Sequence, residues 1–394
     1  MKTRSILPVL GLWLAGVAAF AQSAPPLSQQ MADAFIKRYP DSVGLARNRV
    51  AHWGYEQGVM LLALERVGQR THQPSYHDYV VRTLAYSLPD NAPIVGYKPE
   101  DYSLDNINTG RLLLALAQVP GPRQATYRTA AQQLHQQLAQ QPHTSEGGYW
   151  HKKKYTNQIW LDGLYMAEPF AAQYSQVFRE PAGFDHVALQ FALVEKHLAD
   201  PKTGLLYHGY DDSREQKWAD KTTGQSPNFW SRGMGWYAMA LVDVLDYFPA
   251  NHPQRQQLIQ DLQRLAPVLA RYQDPATGGW FQVTDQGQRA GNYVETSGSC
   301  MFVYALAKGV RLGYLDKKYA LVARRGYEGI VRKFVQTEPD GTRSLTGTVS
   351  VGGLGGSPYR DGSYAYYLSE PLQKNDFKGV GPFIMASLEL EAAK

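Results

Sequence analysis

Trp160-Leu161-Asp162-Gly163 sets the pattern of this chain: an aromatic and acidic cluster, a small residue, then an apolar stretch with helical spacing. The same order recurs at His52-Trp53-Gly54-Tyr55-Glu56, Asp105-Asn106-Ile107-Asn108-Thr109-Gly110, Trp230-Ser231-Arg232-Gly233, Glu295-Thr296-Ser297-Gly298 and Lys378-Gly379-Val380-Gly381-Pro382. Successive openings lie about 52, 55, 70, 65 and 86 residues apart, which is room for two helices per unit. Six helix pairs at such a period predict a helical toroid rather than two stacked domains. Each unit would supply one inner helix, starting at the cluster, and one outer helix. Six inner-helix N-termini gathered at one end would form a concave floor, with positive dipole ends suited to an anion.

The helices themselves are legible as apolar residues three and four apart, over Gly58 to Val67, Gly110 to Val119, Tyr237 to Phe248 and Gly298 to Leu312. Glycine-rich aromatic segments separate them: Gly147-Gly148-Tyr149-Trp150, Thr203-Gly204-Leu205-Leu206-Tyr207 and Thr277-Gly278-Gly279-Trp280-Phe281. These predict short β-turns or hairpins at the rim. The Gly-dense stretch from Gly347 to Gly356 reads as a rim loop, and no Pro- or Ser-rich linker breaks the body. One domain over 22–394 is therefore expected.

The first residues read differently. Lys2 and Arg4 precede an apolar run from Ile6 to about Phe20, and Ala19-Phe20-Ala21 supplies a small-x-small site before Gln22. This is the pattern of a secretory signal peptide over 1–21, too short for a comfortable membrane span. A periplasmic or secreted protein follows, with no membrane attachment after cleavage. Without Lys2 and Arg4, 38 Lys and Arg stand against 35 Asp and Glu, a mild excess with no dense basic run. That disfavours nucleic acid and suits a small anionic substrate. Cys300 is the single cysteine, so an intrachain disulfide is excluded and no cysteine-based metal site is expected. No metal and no cofactor is expected either: ligand spacings, a P-loop, a dinucleotide fingerprint and a nucleophile elbow are all missing. The 26 Tyr and 8 Trp favour stacking on sugar rings.

Three openings carry the candidate chemistry. Asp162 follows Trp160 at a helix entrance, where apolar neighbours would raise its pKa toward that of a general acid. Asp105 opens the preceding inner helix, and like charge between the two acids would push one pKa further up. From spacing alone, both also fit ordinary N-caps. Trp230-Ser231-Arg232-Gly233-Met234-Gly235-Trp236 places a guanidinium among indoles and glycines, fit for bidentate capture of a carboxylate or, equally, for capping a helix. His208 and His151 follow aromatic turns and are open to functional or structural use.

Together, Trp160-Leu161-Asp162, His208 in its His-Gly-Tyr-Asp turn, Trp230-Ser231-Arg232-Gly233 with Trp236, and Glu295-Thr296-Ser297-Gly298 resemble the landmarks of glycoside hydrolase family 105. These are the unsaturated rhamnogalacturonyl hydrolases, related to the unsaturated glucuronyl hydrolases of family 88. The resemblance runs from about Trp53 to near the C-terminus. It implies an all-α (α/α)6 barrel and a metal-independent hydrolase that removes a terminal 4,5-unsaturated uronic acid from lyase-generated pectin fragments. It implies further that Asp162 is the general acid/base and Asp105 the second acid. Trp160, His208, Trp230, Arg232 and Trp236 would line the pocket, with His151 and Tyr55 as looser matches. The competing readings are a polysaccharide lyase on the same toroid and a non-catalytic oligosaccharide-binding protein. Leaving sugar and oligomeric state are not legible.

Overall fold

The computed structural model describes residues 24–41, 53–90 and 92–392, so the predicted leader and its cleavage site near Ala21-Gln22 lie outside the described residues. In chain order the helices are α1 (Leu27–Arg38), α2 (Tyr55–Thr71), α3 (Pro74–Ser87), α4 (Gly110–Leu116), α5 (Gln124–Ala139), α6 (Leu161–Phe178) and α7 (Ala182–Leu198). They continue with α8 (Ser231–Val244), α9 (Arg255–Tyr272), α10 (Thr296–Arg311), α11 (Tyr319–Phe334), α12 (Tyr364–Ser369) and α13 (Phe377–Ala392). Helices α2, α4, α6, α8, α10 and α13 pack in that order, and α13 returns to α2 to close the ring. Outside it, α3, α5, α7, α9 and α11 each back the inner helix that precedes them. This is the expected (α/α)6 barrel.

Burial explains which helix goes where. Every residue of α8, and of α10 from Thr296 to Gly309, is buried, because inner helices are covered on all sides. The outer helices α9 and α11 bury one stripe and leave Arg and Gln side chains to solvent. Two helices stop earlier than their apolar patterns do: α4 at Leu116 instead of Val119, and α8 at Val244 instead of Phe248. In both cases a proline follows the apolar run (Pro120 and Pro249), and the residue before proline resists helical dihedrals.

The sixth unit departs from the expected hairpin. Its inner helix α13 is backed by α1, from the other end of the chain. Met31, Ala32 and Phe35 of α1 are buried. Phe35 meets Phe377 edge-on at 5.2 Å, and Ser28 Oγ donates to Glu391 at 2.6 Å.

The openings lie toward one end, linked directly or through the segments that precede them. Trp53 Nε1 donates to the Asn106 carbonyl (2.8 Å), Leu104 N to the His151 carbonyl (3.1 Å), and Leu161 N to the His208 carbonyl (3.1 Å). A Cβ on Gly298 would lie 2.9 Å from the Ser231 carbonyl carbon, so only glycine lets α10 approach α8 this closely. Lys378 Nζ reaches Glu56 at 2.7 Å, joining the last opening to the first. The strands are short antiparallel pairs: β1 (Gln158–Trp160) with β2 (Gly209–Asp211), β3 (Val335–Thr337) with β4 (Arg343–Leu345), and β5 (Thr348–Val349) with β6 (Leu372–Gln373). The glycine-rich aromatic segments take part in β-bridges, His143 with Tyr149, Ala199 with Leu206, and Phe281 with Val294.

Candidate active site

The β1–β2 pair places Trp160 opposite Gly209, which brings His208 alongside the first turn of α6. There His208 Nε2 lies 3.3 Å from Asp162 Oδ2, and neither atom makes an aligned hydrogen bond with a described residue. His208 is fully buried, while the Asp162 side chain is 14 % exposed. Asp162 thus keeps an edge toward solvent, as Asp105 does.

Asp105 stands in a single 3₁₀ turn, Leu104–Asn106, ahead of α4. Its Oδ2 forms a short ion pair with Lys152, and its Oδ1 lies 3.4 Å from His151 Nε2. Burial disfavours its charge, yet Lys152 and then His151 outweigh that and hold the carboxyl below its usual range. Like charge was expected to raise one acid; Asp105 is not that one, because Lys152 neutralises it. Burial lowers the His151 pKa to about 4, against the pull of Asp105. His151 also feels Asp162 and His208, so these four groups share one site.

Aromatic rings wall the floor. His151 stacks on Trp160 (4.8 Å), and Trp160 stacks on Tyr155 (4.3 Å). Trp230 packs against His208 at 4.6 Å and donates its indole N–H to Gln282 Oε1 at 3.1 Å. The Arg232 guanidinium lies 4.9 Å over the Trp230 ring. It is 1 % exposed, and its Nη1 donates to the Val349 carbonyl (2.5 Å) and toward Ser297 Oγ (3.4 Å). Nη1 alone of its nitrogens is engaged among the described residues. Trp236 is deeper, stacked on Tyr165 at 4.9 Å and edge-on to Tyr55 at 6.1 Å, so it supports the floor from within the core. Burial, then the charges of Glu56 and Asp105, raise the Tyr55 phenol well above its usual value, with Arg232 and Asp162 also in reach.

Every residue singled out in the sequence therefore falls at this end of the barrel. Three partners were missed: Lys152 beside Asp105, Tyr367 beside His208, and Glu295 as an acceptor at the head of α10. Glu295 is fully buried and accepts from Ser297 N (3.1 Å), Gly298 N (2.7 Å) and Val349 N (3.0 Å). Lys152 had a signal, the basic run directly after His151; Tyr367 had none beyond a tyrosine-rich stretch, Tyr364 to Tyr367. Among the described residues no cluster of His, Cys, Asp and Glu has the makings of a metal site. No helix there is long and apolar enough to cross a membrane.

A barrel of this kind, with two carboxylates and a guanidinium on an aromatic floor, defines an enzyme that works on sugars. The model of Glycosyl Hydrolase Family 88 matches residues 27–394. The chain belongs to that family and is a hydrolase. It is similar to a family 105 glycoside hydrolase from C. acetobutylicum, with 43 % identity and a TM-score of 0.89 over 93 % of this chain and all of that one. It is also 25 % identical to the unsaturated rhamnogalacturonyl hydrolase YesR of Bacillus subtilis, over 68 % of this chain and 75 % of the relative. A polysaccharide lyase shares the fold at 19 % identity and a TM-score of 0.67, over 93 % of this chain and 98 % of that one. Fold alone therefore does not choose the reaction.

Proposed function

We propose that this chain removes a terminal 4,5-unsaturated uronic acid, of galacturonyl type, from lyase-generated rhamnogalacturonan oligosaccharides. The observation that carries the reading is the contrast between two carboxylates on one floor. Asp105 is anchored by Lys152 and held ionised, whereas Asp162 faces His208 with no cation beside it and its Oδ2 without an aligned partner among the described residues.

The substrate's C4=C5 bond is an enol ether, conjugated to the carboxylate. Asp162 gives its proton to C4, and the positive charge that results is shared by C5 and the ring oxygen. Water adds at C5 while the Asp162 carboxylate takes its proton, which restores the acid. The hemiketal opens and the leaving sugar is released. General acid/base help of this kind is worth about 10²–10⁴-fold. Asp105 orients the water, Arg232 holds the uronate carboxylate, and Trp160 and Trp230 flank the ring. The anchored Lys152–Asp105 pair keeps the floor's charge fixed while Asp162 cycles. Export belongs to the same proposal and is supported by the leader-like segment 1–21. A periplasmic or secreted enzyme would meet such fragments where lyases release them.

The test is incubation of the purified protein with lyase-generated rhamnogalacturonan disaccharide in the presence of chelator, following the ultraviolet absorbance of the conjugated double bond. Loss of absorbance with release of free rhamnose is expected. No loss there or on unsaturated glucuronyl oligosaccharides overturns the reading, and a rise on intact polymer selects a lyase instead.

A further inference from the structure

The Asp162–His208 pair continues one residue further. His208 Nδ1 lies 2.8 Å from the hydroxyl of Tyr367, which α12 brings in from 159 residues along the chain. Tyr367 is fully buried. Its ring stacks with Trp230 (6.0 Å) and its carbonyl accepts from Gln282 Nε2 (3.1 Å), the amide whose oxygen holds the Trp230 indole. Tyr367 and Trp230 are therefore fixed by one amide, and His208 is wedged against both.

Hydrogen counting then decides the tautomer. The Tyr367 hydroxyl has one hydrogen and, among the described residues, one bonded partner, His208 Nδ1. A buried hydroxyl that leaves its hydrogen unused costs about 1–3 kcal/mol. The hydrogen therefore points at Nδ1, and Nδ1 must offer a lone pair. A neutral His208 then carries its own proton on Nε2, the nitrogen facing Asp162 Oδ2 at 3.3 Å. Burial, with Tyr366 and Asp162 adding to it, raises the Tyr367 phenol well above its usual value, so the hydroxyl keeps its hydrogen.

We infer that Tyr367 is a positioning residue for the proposed hydration: it locks the Nε2–H tautomer of His208, which pins Asp162 Oδ2 and leaves Oδ1 to carry the transferred proton. This rests on Asp162 being the acid/base, while the tautomer itself does not. In the reaction the Oδ1–H bond breaks as the C4–H bond forms from the C4=C5 electron pair. Water then bonds to C5 and returns a proton to Oδ1. The same Nε2–H can be offered to either form of Asp162. At 3.3 Å and unaligned, that bond is not made in the free site, as is common before substrate tightens one. A positioning role differs from a packing role here, because Tyr367→Phe keeps the ring against Trp230 and removes only the hydroxyl.

The experiment uses the whole protein with ¹⁵N-labelled histidine and long-range ¹H–¹⁵N spectra, the His208 signals being assigned by their loss in His208→Gln. Wild type should show Nε2–H at His208, and Tyr367→Phe a mixture or the Nδ1–H form. In the same variant kcat on the unsaturated disaccharide should fall about tenfold or more, equivalent to about 1.4 kcal/mol, with KM within about twofold. An Nδ1–H tautomer in wild type, or wild-type kcat in Tyr367→Phe, overturns the inference. The spectrum needs no substrate, so it decides the tautomer even if the hydrolase reading fails. It also suffices if Tyr367→Phe does not fold.

Discussion

Two clusters of charge occupy the inner helices, one toward each end, and they are satisfied very differently. Toward the far end, Asp243 is the next-to-last residue of α8 and is fully buried. Its Oδ1 accepts from Tyr304 (2.6 Å) and Lys308 (2.7 Å), and its Oδ2 from Arg111 (2.9 Å). These cations outweigh burial and hold its carboxyl far below the usual range. At the floor, Asp162 Oδ2, His208 Nε2 and His151 Nδ1 are all buried and without an aligned partner. The first cluster ties α4, α8 and α10 together through both oxygens of one carboxylate. The second leaves polar atoms open, which a fold tolerates where chemistry needs them.

That contrast is best broken by swapping the same amide into each end. Asp162→Asn should cut kcat by about 10²–10⁴-fold with little change in substrate affinity, and should not lower the urea midpoint of unfolding. Near-normal turnover would remove Asp162 from the mechanism. Asp243→Asn should do the reverse. It strands Arg111 and leaves Lys308 with the Asp246 carboxylate alone, and should cost about 3–5 kcal/mol in urea-derived stability, while the folded fraction keeps its kcat.

The pH dependence sharpens the same comparison. His151 has a folded pKa of about 4, below its ordinary value of about 6.5. The unfolded chain therefore binds the proton first. His151's share of stability is complete above about pH 6.5 and is lost as pH falls toward 4, to a ceiling of about 3 kcal/mol. Unfolding of His151→Gln should be less steep in pH across that window; an unchanged slope would place the acid sensitivity elsewhere. The smallest effect is expected from Lys152→Met. Asp105 would lose its first counter-charge, so the acid limb of kcat/KM should move to higher pH. A limb that stays in place would show that Asp105 does not govern it.

Much of the barrel was legible because each inner helix announces itself twice, by its opening cluster and by apolar residues on every side. Asp162, Asp105, Arg232 and Trp230 were legible for the same reason, since each stands at or within a turn of an opening. The pairing of α1 with α13 was not legible: α1 precedes the first opening, and nothing local marks which helix its Met31 and Phe35 will cover. Lys152 and Tyr367 were missed on similar grounds. Lys152 reaches Asp105 across 47 residues and Tyr367 reaches His208 across 159, so both contacts exist only once the ring has formed. Gly352 makes the same point for the rim. A Cβ there would sit 2.3 Å from the Trp230 ring, a demand that the glycine-rich loop did not disclose.

The contact between Ser28 and Glu391 spans 363 residues, the longest loop that any described hydrogen bond of this chain closes. Loop-closure entropy rises with the logarithm of length, so this step is the least favourable to attempt early. An open arc of helix pairs, shut last by a seam between α1, α13 and α2, is therefore the expected order of assembly. Such an arc would have two bare ends, each presenting an apolar helix face. A circular permutant that joins the neighbourhoods of residues 28 and 391, and is cut instead in the exposed turn at Asn251, would turn that seam into a local hairpin and should assemble faster.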